Sequence, residues 1–137
     1  MIQRQSHTTV FVLDQAKAIQ FYTETMGFEI RSDFPMGGNL RWVTVSPKGQ
    51  PDLEIVLAPI VEGPMFNKET ASAMLELVKQ GAFGIGVFAT DDCHGDYEKL
   101  KQAGVRFQQE PKETFYGIEA IGKDNSGNWF SLTQHKK

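Results

Sequence analysis

The sequence contains one cysteine, Cys93, among 137 residues. No intrachain disulfide can form, and a four-cysteine zinc site is excluded. A reducing, cytoplasmic setting is the expectation. Long apolar runs are missing too: no stretch approaches the ~20 apolar residues that a membrane helix needs. The opening Met1-Ile2-Gln3-Arg4-Gln5-Ser6-His7 has no apolar core of a signal peptide. Basic runs are equally scarce. With 14 Lys and Arg against 17 Asp and Glu, the formal charge is −3. No Lys/Arg stripe is dense enough to track a phosphate backbone, so neither nucleic acid nor a membrane is an expected partner. What is present, 40% hydrophobic residues, is apolar side chain enough for one folded domain and argues against disorder.

Residues 7–13 are β-branched and aromatic enough for a strand, and Asp14 then stands where a helix N-cap would accept a backbone N–H. Ala16, Ile19, Tyr22 and Met26 follow at helical spacing, with Gly27 as the stop. Residues 28–34 and 40–46 alternate apolar and polar side chains around Met36-Gly37-Gly38-Asn39, which predicts a hairpin. Another strand is expected at 53–57. A connector helix over 67–80 carries Ala71, Met74, Leu75 and Val78 on one face and is capped by Asn67. The opening order then returns: a strand at 85–89, Asp91 or Asp92 as cap, Tyr97, Leu100 and Ala103 as a helix face, Gly104 as stop. Strands at 105–109, 115–122 and 129–134 complete it.

An offset of 77 residues places Val10 on Val87, Phe11 on Phe88, Asp14 on Asp91 and Gly27 on Gly104, and puts Ile55 on Leu132. The helices fit better at 78. The expected fold is α+β: two βαβββ modules in tandem (about 4–60 and 82–136) within one domain, forming a cupped mixed sheet around a cavity. Period-two alternation puts His7, Thr9 and Phe11 on one face of the first strand and the apolar Val10 and Val12 on the other, under the helix. Glu54 shares the open side, so an imidazole and a carboxylate converge there.

His7 with Asp14, then Phe21-Tyr22, Met26-Gly27-Phe28, and Asp124-Asn125-Ser126-Gly127-Asn128 stand in an order and spacing that resembles the vicinal oxygen chelate superfamily of glyoxalases, bleomycin-resistance proteins and extradiol dioxygenases. The resemblance implies homodimers and, in metalloenzyme members, four cavity positions that hold a divalent ion such as Zn, Ni, Mn or Fe. Those positions fall on His7, Glu54, Gly84 (or Ile85) and Ser131. The second module therefore lacks the two strong donors that the first supplies, because glycine has no side chain and a neutral serine replaces a carboxylate poorly.

Two functions follow. The first is binding of a small, partly apolar molecule in the cavity between the modules, without the complete metal site. Phe11, Phe34, Trp42, Phe88, Phe115 and Tyr116 would be the walls, and His7, Glu54 and Ser131 the orienting groups. The alternative is a metal-dependent lyase, isomerase or dioxygenase that uses His7, Glu54 and a third ligand such as His94, Glu119 or His135. Glu54 would instead serve as a metal-free catalytic base if burial raised its pKa. Segments Asp33–Asn39 and Glu62–Phe66 are candidate lids, and Arg41 and Lys123 candidate anion contacts.

Overall fold

The computed structural model describes residues 1–137. Strand β1 (His7–Val12) leads to α1 (Gln15–Gln20), capped by the Asp14 carboxylate accepting the Lys17 N–H. The chain then widens into a π-helical turn over Phe21–Thr25, where Met26 N–H bonds back to the Phe21 carbonyl, and Gly27 stops it at φ +75°. The uninterrupted helical spacing through Met26 did not foretell this turn. Tyr22 is buried in the core of its own module, while Phe21 and Met26 pack against the cores of both modules.

Strands β2 (Glu29–Gly37), β3 (Leu40–Ser46) and β4 (Glu54–Pro59) complete module one. The connector α2 (Lys68–Lys79) is capped by Asn67. Module two comprises β5 (Gly84–Ala89), α3 (Cys93–Gln102), β6 (Arg106–Thr114), β7 (Gly117–Lys123) and β8 (Trp129–His135). Asp92, rather than Asp91, caps α3. The sheet orders are β1-β4-β3-β2 and β5-β8-β7-β6, the first pair parallel in each and the others antiparallel. The same topology twice is what the internal repeat requires. One strand differs from expectation: a register shift between Gln109 and Lys112 absorbs Pro111, β6 runs on to Thr114, and Phe115-Tyr116 become a hairpin turn instead of the start of a strand.

Each sheet buries one face under its helix. Val10, Val12, Val45, Ile55 and Leu57 pack on Ala18 and Tyr22; Ala120, Phe130 and Leu132 pack on Cys93 and Tyr97, with Ile85 and Phe88 touching both groups. Burial pushes the Cys93 thiol up, consistent with a packing role.

The modules are tied by Asp124, only 1% exposed, in the β7–β8 turn. Its Oδ1 accepts the N–H groups of Ser126, Gly127 and Asn128 at 2.9, 3.0 and 2.9 Å. Its Oδ2 accepts the Tyr22 hydroxyl at 2.9 Å and Asn128 Nδ2 at 3.1 Å. From the same turn Asn128 donates to the Phe11 carbonyl (2.8 Å), and Ser126 Oγ accepts the Leu13 N–H (3.0 Å). Removing the carboxylate orphans buried donors, so Asp124→Ala is expected to cost about 2–4 kcal/mol in urea unfolding. A loss below about 0.5 kcal/mol, the range of ordinary surface changes, would contradict the clasp. Burial first, then Asp124, raises the Tyr22 hydroxyl well above its ordinary value of 10.0. Its contribution to stability is thus in place below pH 10 and lost as pH rises through the folded value. Stability of the native sequence should therefore fall more steeply in strong alkali than that of Tyr22→Phe.

Candidate functional site

The face of module one turned away from α1 is set by a parallel register: His7 opposes Glu54, Thr9 opposes Val56, and Phe11 opposes Ala58. β3 adds Trp42 and Thr44 to this face, and β2 adds Ser32 and Phe34 opposite them. One end is polar. His7 Nε2 lies 3.4 Å from Glu54 Oε2, while Thr44 and Ser32 donate their hydroxyls to Oε1 at 2.6 and 3.3 Å. His7 Nδ1 and Ser6 Oγ share a further hydrogen bond of 2.8 Å.

The Glu54 carboxyl is held below its ordinary value, chiefly by the Thr44 hydroxyl. Partial burial works against this, and His7 adds to it. This corrects the expectation that burial raises it: a hydroxyl aimed at the charged form outweighs desolvation. Glu54 is thus an anion at neutral pH, suited to accept hydrogen bonds rather than to store a proton.

Beyond the polar end the face becomes an apolar cavity of about 220 Å³. Thr9, Phe11, Trp42 and Val56 form its floor. Met36 and Leu40, at the β2–β3 hairpin, and the segment 61–66 form its walls, so both expected lid segments meet over one space. Phe66 stands edge-on to Phe11 at 5.5 Å, and Phe34 lies near-parallel to Trp42 at 6.4 Å, with the His7 ring 6.0 Å from Trp42 on the other side. Arg41 is ion-paired with Asp33 and is not free to receive an anion.

The remaining expected residues lie elsewhere. Phe88 packs against both module cores, between Phe28 and Phe130 at 5.4 Å from each, and is not a wall of this cavity. The reason is a register shift in β5 between Gly84 and Gly86, with Gly86 at φ +130°, which turns Phe88 inward opposite Leu132. By the same shift Val87 opposes Ser131 as His7 opposes Glu54. A valine thus lies across from Ser131, where a glutamate lies across from His7 in module one. Gly84 is required for another purpose: a Cβ there would lie 2.4 Å from the Trp129 indole.

Ser131 donates to Glu119 Oε2 and the Tyr116 hydroxyl donates to Oε1, both at 2.5 Å, and these bonds hold the Glu119 carboxyl below its usual range. Glu119 on β7 opposes Thr133 as Thr44 on β3 opposes Val56. The two modules have thus exchanged partners: carboxylate on β4 and hydroxyl on β3 in the first, carboxylate on β7 and hydroxyl on β8 in the second. Phe115 is 89% exposed, its ring edge-on to Tyr116 at 5.0 Å. Sequence reasoning did not assign Thr44, Ser32 or Val56 to the site, although alternation along 40–46 would have put Thr44 beside Trp42.

Two βαβββ modules that each pair their strands first-fourth-third-second, with an imidazole and a carboxylate side by side on one open face, define a protein of the vicinal oxygen chelate type. The chain belongs to the Glyoxalase/Bleomycin resistance protein/Dioxygenase superfamily, whose sequence profile matches residues 4–132. It is 37% identical over 134 residues to the uncharacterized protein YetH of Bacillus subtilis (strain 168), covering 98% of this chain and 100% of that one. The crystal structure of UcmS2 superposes with a TM-score of 0.90 at 46% identity, covering 97% and 98% of the two chains. That of TnmS3, described as an antibiotic binding protein from Streptomyces sp. CB03234, gives 0.76 at 32% identity over 98% of each chain.

The superfamily's divalent metal site can be tested against these donors. His7 and Glu54 are the two strong donors of module one, whereas on β5 none of Gly84, Ile85 and Val87 carries a donor side chain, and β8 offers the neutral Ser131. The hydroxyls around Glu54 are neutral, and no group of three His, Cys, Asp or Glu side chains converges. The residues do not fit a four-donor site, whose affinity needs several deprotonated or imidazole ligands together.

A depressed carboxyl contributes stability that is present above its ordinary value of 4.5 and lost as pH falls below it. In NMR titration Glu54 should titrate below that value, and Thr44→Val should move it upward. An unchanged Glu54 titration in that variant would contradict the assignment to the Thr44 hydroxyl.

Proposed function

We propose that the protein binds a small, flat, partly apolar molecule on the open face of module one without a divalent ion. The observation that carries this reading is the continuity of the face: an anionic carboxylate with one oxygen beside His7, an aromatic row, and then an apolar cavity under two loop segments. Pockets that hold small molecules combine an apolar lining with a few convergent polar groups. A cavity of about 150 Å³ already takes benzene, so 220 Å³ suits one or two fused rings. Glu54 then selects a hydrogen-bond donor or ammonium at the edge of those rings. The description of TnmS3 as an antibiotic binding protein supports a ligand of natural-product size whose remainder extends along Phe34, itself half exposed. The metal-dependent lyase, isomerase or dioxygenase reading requires a third strong donor beside His7 and Glu54. Val87 and Ser131 do not supply it.

The protein is also proposed to act as a homodimer. The edge strands β2 and β6 carry charges, Pro35 or Pro111, and register shifts, all devices that discourage pairing. The edge strands β1 and β5 carry no Lys, Arg, Asp, Glu or Pro, and Val87 is 58% exposed. A second copy is the occupant that such edges suit.

Calorimetric titration with 1-naphthylmethylammonium tests the site. Saturable binding is expected, weakened about tenfold or more by Trp42→Ala and by Glu54→Gln, the tenfold corresponding to about 1.4 kcal/mol. Neutral 1-methylnaphthalene should lose affinity in the first variant alone. Equal affinity for the ammonium in all three proteins would dismiss the site. Sedimentation equilibrium should give about twice the 15.4 kDa chain mass, and a monomer at micromolar concentration would refute the dimer.

A further inference from the structure

The apolar cavity of module one shares a side chain with the connector helix. Phe66 walls the cavity as the last residue of the segment 61–66 and stands edge-on to Phe11 in its floor. It is also the residue immediately before Asn67, whose carboxamide oxygen caps α2 by accepting the Thr70 N–H at 2.8 Å. With Asn67 as cap, Ala71 holds the fourth helical position, and its N–H bonds to the Asn67 carbonyl at 2.9 Å. Phe66 packs against the buried cluster of Ile60, Ala71 and Val78. An apolar residue just before a cap, packed at the fourth helical position, fixes the angle at which the chain enters the helix. One ring thus fastens the start of α2 and walls the cavity.

The two ends of α2 are held unequally. At the far end the β7–β8 turn passes so close that a Cβ on Gly127 would lie 3.1 Å from the Val78 carbonyl, and Val78 is fully buried. At the near end the segment 61–66 contains a single backbone hydrogen bond, from Gly63 N–H to the Phe66 carbonyl at 2.9 Å, and Val61 and Met65 are exposed. Few hydrogen bonds and few buried contacts place such a segment at the low end of local stability. Its anchor is the capped turn that follows. We propose that Asn67 is a positioning residue for the cavity: its cap holds Phe66 in the wall, and a ring bound against Phe66 orders the first turn of α2 in return. The inference rests on the binding proposed above for this site and adds its coupling to the helix. Asn67 is exposed and lies outside the cavity lining, so its effect on a ligand passes through Phe66. Such coupling is reciprocal: the helix favours the ligand by as much as the ligand favours the helix.

Amide exchange of the whole chain, followed by NMR with and without saturating 1-naphthylmethylammonium, tests the coupling. The probe is expected to slow exchange of the Thr70 and Ala71 N–H groups by about tenfold or more, as a ligand that binds only the closed turn must. The bonded N–H groups of Asp96 and Ala103 on α3 should stay within about twofold. Asn67→Ala should speed exchange at Thr70 and Ala71 and weaken the probe about threefold by calorimetry, whereas Asn67→Ser, which keeps a capping oxygen, should restore both. In a Phe66→Ala background the Asn67→Ala change should cost no further affinity. Bound probe with unchanged exchange at Thr70 and Ala71, native affinity in Asn67→Ala, or an equal cost of Asn67→Ala in both backgrounds would each overturn the proposal. Absence of binding to the native chain is a different result, which dismisses the site itself and the coupling with it.

Discussion

The buried Asp124 carboxylate organises more of this molecule than any other single group. Three backbone N–H groups of its own turn converge on one oxygen, and the other holds Tyr22 from the opposite module. A charge taken this far from water survives only with such a full set of donors. Asn128 and Ser126, positioned by the same turn, bond to Phe11 and Leu13 and thereby pin the end of β1. That strand also carries His7 and Thr9. The floor of the candidate site is thus held from module two, although its side chains come from module one.

Duplication explains the frame, and divergence explains the chemistry. Each module pairs its strands in the same order, yet almost every polar device has been kept in one copy and altered in the other. The His7–Glu54 pair faces Val87–Ser131 in the repeat, and the Thr44–Glu54 bond becomes Ser131–Glu119 with the strands exchanged. A symmetric ancestor could place equal donors from both halves around one ion. Here the donors are unequal, and what remains on module one is an acceptor beside an aromatic wall.

Much of this frame was legible in the sequence because it rests on local chemistry. Asp14 and Asn67 cap helices where their side chains reach the third N–H, Gly27 stops the first helix, and alternation places His7 and Glu54 on one face. Two of the failures are failures of register. The π-helical turn and the shift at Gly86 each add a residue that a fixed offset cannot see, and the latter turned Phe88 toward the core and set Val87 rather than Gly86 across from Ser131. The hydroxyls that hold Glu54 were missed for a different reason: they come from neighbouring strands 10 and 22 residues away in sequence, where only the folded sheet brings them together.

The central claim is that the His7–Glu54 face orients a ligand without a metal ion. Elemental analysis of the purified protein, run alongside His7→Ala after growth in medium supplied with Zn, Ni, Mn and Fe, tests it most directly. The account predicts far less than one divalent ion per chain in both proteins. One ion per chain in the native protein, lost in His7→Ala, would contradict it.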